Sequence, residues 1–106
     1  MIGWKLVEDR GLLRLEAPGM PPVLRGSLAD WRRVRSVLRL ALSEGVDEGY
    51  ALDCALGCAF ARHGAALVVS LHCGDAMVLV EGAGVLVLRD GIAAAILGVS
   101  ADEGVN

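Results

Sequence analysis

The stretch DEGYALDCALGCAFARHG, residues 47–64, decides how many helices this chain has and what is left to form its sheet. Asp47 is a helix-capping residue type and Gly64 a stop, so the segment between them predicts a helix over 48–63. Leu52, Ala55, Leu56, Ala59 and Phe60 form one apolar side at helical spacing, and Tyr50, Ala51, Cys54, Gly57, Cys58 and Ala61 supply most of the rest. A helix that is apolar nearly all round is a buried one. Its small residues, Gly57 and Ala61 above all, would let a neighbouring backbone come close.

Upstream, the stretch ADWRRVRSVLRLAL (29–42) predicts another helix, over about 28–44. Ser27 followed by Asp30 reads as an N-cap with an acid in the first turn. Leu28, Trp31, Val34, Leu38, Ala41 and Leu42 recur at spacings of three and four and should face the core. Arg32, Arg35, Ser36, Arg39 and Ser43 fall on the opposite side, so the basic residues share a face. Further upstream, residues 4–8 and 12–16 flank Asp9-Arg10-Gly11 as a hairpin would, and Pro18, Gly19, Pro21 and Pro22 then hold a loop to about Gly26.

Downstream, the runs 66–71, 77–80, 85–88 and 92–97 read as strands separated by short turns, which predicts an antiparallel meander of three to four strands. The last run is alanine-rich and fits a short helix equally well. Residues 100–106 are polar and expected to fray. The fold expected is therefore α+β in one domain spanning 1–106: an N-terminal hairpin, two helices (28–44 and 48–63) and a meander. The strand runs are continuous rather than alternating, which indicates cover on both sheet faces. Two helices can cover one face, and the hairpin or a second copy of the chain would cover the other. A homo-oligomer, a dimer in the first place, is the expectation.

Apolar residues other than glycine make up 55% of the 106 residues, where an ordinary globular chain reaches roughly 45–50% with glycine included. The runs free of Asp, Glu, Lys and Arg, such as 91–101, stay short of the roughly 18 residues that a spanning helix needs. MIGWKLVEDR at the N-terminus carries four charges and no long apolar region, so neither a secretory signal nor a membrane partner is expected. Three cysteines cannot all pair within one chain, so reduced thiols and a cytoplasmic setting follow. Charge is uneven: residues 1–41 carry eight basic groups against four acidic ones, a net of +4, and residues 42–106 carry two against nine, a net of −7. Such asymmetry hints at electrostatic partnering.

Three kinds of chemistry could draw on these residues. Cys54 and Cys58, four apart on a helix, could share a metal with His63, His72 and Cys73, but the two-residue spacing of a zinc knuckle is absent. Cys73 beside His72 could be a nucleophile, yet neighbours on an extended chain point to opposite faces, so His72 is badly placed to activate it. No two carboxylates pair, and GCAFARHG and EGAG do not match a phosphate loop. No cofactor is called for. What remains is the arginine face. Arg25, Arg32, Arg35 and Arg39 are the candidate partner-binding residues of a small non-catalytic accessory or inhibitor protein that engages an acidic protein. A thiol- or metal-dependent enzyme on Cys54, Cys58, Cys73, His63 and His72 is the alternative reading. A nucleic-acid-binding accessory protein is a third, weakened by a pI of about 5.2 and by the scarcity of aromatic residues for base stacking.

Overall fold

The computed structural model describes residues 3–51 and 55–105, with side chains described to residue 99. In chain order the elements are β1 (Lys5–Asp9), β2 (Leu12–Glu16), β3 (Arg25–Gly26), α1 (Leu28–Ala41), β4 (Glu48–Ala51), β5 (Leu56–His63), β6 (Ala66–Cys73), β7 (Ala76–Glu81) and α2 (Ala83–Val105). They form two antiparallel sheets, ordered β1-β2-β3 and β4-β5-β6-β7. The class is α+β, and the N-terminal hairpin lies where the sequence places it.

Arg10 and Gly11 both adopt positive φ, 55° and 82°. That is the requirement of the two-residue turn whose twist matches its strands. Helix α1 also follows its sequence signals. The Ser27 hydroxyl accepts from the Asp30 amide and the Ser27 amide donates to the Asp30 carboxylate, both at 3.1 Å, closing a reciprocal capping box. Trp31, Val34, Val37, Leu38 and Ala41 are buried along one side. At the other end the Arg62 guanidinium, reaching across from β5, donates to the Ala41 carbonyl at 2.6 Å. A cation therefore meets the negative end of the helix dipole.

The segment 48–63 is not a helix. It forms β4 and β5, with Cys54 and its neighbours 52–53 outside the described residues. The reason lies in side-chain size. Along β5, Leu56, Cys58 and Phe60 point inward and are buried, while Gly57, Ala59 and Ala61 alternate with them on the opposite face. The alternation is of large with small, not of apolar with polar, and a hydropathy reading misses it. Gly64, read as a helix stop, instead takes φ +64° at the first position of the turn joining β5 to β6, and Gly74 repeats this at +58° between β6 and β7. Gly49 pairs with Phe60, and a Cβ there would come within 2.6 Å of the Phe60 ring, so the glycine leaves room for the aromatic.

The runs 85–88 and 92–97 belong to α2, not to strands, and the helix continues to Val105 through residues expected to fray. Val85, Leu88, Ile92, Ala95 and Ile96 are all buried, at helical spacing. Gly91, read as a turn, sits mid-helix, and a Cβ there would fall inside the indole of Trp4, which lies across α2 at that point. The two helices pack against each other, α1 onto β4 and β5 and α2 onto β6, β7 and β1. Both therefore cover the same inner face of the four-stranded sheet, and the hairpin sheet meets that sheet at one end, where Gly26 of β3 lies against Leu56 of β5 and the Arg25 carbonyl accepts from the Cys73 thiol. The core runs from Leu15 and Leu24 through Trp31 and Leu38 to Val69, Leu71, Leu88 and Ile96.

Two outcomes are expected from these contacts. Gly91→Ala should cost about 1–3 kcal/mol through overpacking and shift Trp4 emission. In a Trp4→Ala background the same change should become neutral or stabilising, because alanine exceeds glycine in helix propensity by about 1 kcal/mol; urea titrations of the four chains measure both. Arg62→Met should lower stability by about 1–2 kcal/mol, as a charge-assisted bond at a half-buried helix end is lost.

Candidate functional site

Because the buried stripe of α1 faces the sheet, Arg32, Arg35 and Arg39 are carried along its other side, Arg32 and Arg39 exposed and Arg35 half-buried. Successive members are three and four residues apart, one turn of helix each. The hydroxyls interleaved with them are turned back on the backbone. Ser36 donates to the Arg32 carbonyl at 3.1 Å and Ser43 to the Arg39 carbonyl at 2.9 Å, which leaves the guanidinium groups as the outward polar chemistry. Asp30, the acid of α1, is held by Arg33 at 3.2 Å and by the capping box. The exposed side of α1 is therefore net positive. Leu40, 43% exposed, borders it.

Arg25 is not part of that face. It lies on β3 opposite Arg14, and together with Arg10 these residues surround the Asp9 carboxylate at 3.8, 3.6 and 4.0 Å. Arg14 reaches Glu16 as well, at 3.1 Å. The cluster borders an open cleft of about 590 Å³ between the hairpin and the β6–β7 turn, with Cys73 and Asp75 on its far wall. Three guanidinium groups share the carboxylates of Asp9 and Glu16, so the cluster is net positive.

The thiols and imidazoles do not converge. Cys58 is buried on the inner face of the sheet. Cys73 is half-buried, and its thiol donates to the Arg25 carbonyl at 3.5 Å. His72 points to the opposite face, where its Nε2 lies 2.8 Å from the Ser70 hydroxyl. His63 pairs with Ala66 and Cys73 with Leu56, at opposite ends of the β5–β6 ladder. Seven residue steps at ~3.3 Å put them roughly 23 Å apart. Among the described residues no three His, Cys, Asp or Glu side chains stand close enough to hold a metal ion, and Cys54 lies outside the described residues.

The outer face of the four-stranded sheet is the feature whose residues the sequence reading misplaced. Cross-strand register aligns Tyr50, Ala59, Ser70 and Leu79 in one row. Gly57, His72 and Met77 form a second row on one side of it, and Glu48, Ala61, Val68 and Glu81 a third on the other. Tyr50 is 75% exposed, and Met77 and Leu79 56% each. Among the described residues neither helix nor hairpin covers this face, although Gly57 at one end of it is buried. The signal that could have found it is again the alternation of size in 56–63. A smaller apolar strip on α2, with Val87 and Leu97, is also exposed.

No protein-family model, no curated protein and no solved structure gives a significant match to this chain. No helix among the described residues is long and apolar enough to cross a membrane.

Thiol placement is open to direct measurement. In a Cys54→Ser chain, a maleimide should label Cys73 slowly and Cys58 only on unfolding, since a thiol must be exposed to react. Rapid labelling of Cys58 in the native chain would contradict the inward face assigned to it.

Proposed function

We propose that this chain is a small, non-catalytic, self-associating interaction module of the cytoplasm that engages an acidic protein partner through Arg32, Arg35 and Arg39. The observation that carries this reading is their alignment on one exposed side of α1, a helix pinned by its capping box, by the Trp31 indole and by Arg62. A rigid row of guanidinium groups suits carboxylates, because the planar fork of arginine pairs with both carboxylate oxygens. The acidic content of the rest of the chain disfavours long-range attraction to a polyanion such as nucleic acid. Arg25, engaged with Asp9, drops out of the contact set. Cys73, half-buried with its thiol on the Arg25 carbonyl, fits a reducing compartment.

Replacing Arg32, Arg35 and Arg39 by glutamate should weaken binding to the acidic partner, captured and identified from the source cell, by about tenfold or more, and the loss should shrink in high salt. Circular dichroism should stay unchanged, because none of the three side chains belongs to the buried stripe of α1. Undiminished capture by the variant would overturn the reading. Tighter binding of wild type to duplex DNA than to an acidic peptide of equal charge would replace it with the nucleic-acid one.

A further inference from the structure

We infer that a second copy of this chain packs on the open face of the four-stranded sheet, the two sheets stacking face to face about a two-fold axis. The inference rests on the self-association in the reading above and is independent of the arginine face, which lies on α1.

Three observations support it. The face is apolar at its centre and depleted of charge, the composition that distinguishes homodimer interfaces from the general protein surface. On it the Ser70 hydroxyl and the His72 imidazole pair with each other at 2.8 Å, so covering them costs less than covering two unpaired polar groups. Its charges, Glu48 and Glu81, stand in the outermost of the three rows, where they form a rim.

Size is consistent as well. Four strands ~4.8 Å apart and six or so residues long at ~3.4 Å give a footprint of roughly 400 Å² per copy. With side-chain relief added, a pair approaches the ~1,000 Å² at which specific association begins, the size class of weak dimers, for which a dissociation constant on the order of micromolar is the scale to test. A larger foreign surface would gain little beyond this patch, whereas a second copy brings the same area and the same lack of charge.

The charges also choose the orientation. An axis along the strands would stack the acidic row on its own copy and oppose four carboxylates. An axis across the strands instead lays the Glu48/Glu81 row of one copy over the His72/Met77 row of the other and brings the Tyr50–Leu79 row onto its own counterpart. Like charges are then kept apart.

Sedimentation velocity on the full chain over a range of concentrations, to roughly 100 times the micromolar scale expected, reads the outcome. Wild type should dimerise, Leu79→Glu should weaken the dimer at least about tenfold, and Val87→Glu on α2 should leave it intact. Circular dichroism checks that Leu79→Glu is folded, and Met77→Lys, equally exposed, is read in its place if it is not. A wild-type monomer at every concentration overturns both the inference and the self-association. A dimer unaffected by the sheet-face variants, or one lost only in Val87→Glu, overturns the surface proposed here while leaving self-association standing.

Discussion

The indole of Trp31 is the contact on which the rest of the molecule depends. It is fully buried, and its N–H donates to the Leu13 carbonyl at 2.9 Å, bonding α1 directly to the hairpin sheet. No polar or charged residue among the described ones is fully buried, so this bond sits in surroundings that offer the N–H little alternative, and breaking it leaves a donor and an acceptor unsatisfied. The same side chain fixes the rotation of α1 about its own axis. That rotation sets which residues reach the sheet and which arginines face outward.

A single sheet with two apolar faces accounts for the composition. On the inner face, Leu56, Cys58, Phe60, Leu67, Val69 and Leu71 are buried under α1 and α2. On the outer face, smaller residues of β5 lie between Tyr50 on one edge strand and Met77 and Leu79 on the other. The helices can cover one side only, and the hairpin sheet is placed at the end of the four-stranded sheet, where Gly26 meets Leu56, rather than over its outer face. A chain of this size therefore carries more apolar surface than its own elements can enclose.

What could be read in advance, and what could not, follows from the same fact. The hairpin and α1 were legible because each has a wet side: Gly11 marks the turn, and the arginines of α1 contrast with Trp31, Val34 and Leu38. Residues 48–63 lack such contrast. Without a polar face, apolar spacing admits helix and strand alike, and only the order large, small, large, small in Leu56-Gly57-Cys58-Ala59-Phe60 marks the strand. In α2 the branched run Val85-Leu86-Val87-Leu88 imitates a strand, and Gly91 imitates a turn until Trp4 is placed against it. Of the candidate site residues, Arg32, Arg35 and Arg39 share a face as their spacing indicated. Arg25 is separated from them because it lies on β3, a two-residue strand in a stretch that reads as loop, where pairing with β2 sets its neighbours as Asp9 and Arg14.

The glycines of α2 bear on how the two ends of the molecule hold each other. Gly84, Gly91 and Gly98 recur every seven residues in one helix, and each costs roughly 1 kcal/mol of intrinsic helix stability relative to alanine. Alone in water such a segment has little tendency to coil, and most helical stability in proteins comes from packing. The packing that holds it includes Trp4, which lies some ninety residues away along the chain, and the strand β1 that follows it. The last helix thus completes its packing only when the first hairpin joins α1, β6 and β7 around it, and the hairpin's apolar side is completed by the helix in turn. The first strand and the last helix are therefore stabilised by each other across nearly the whole described sequence.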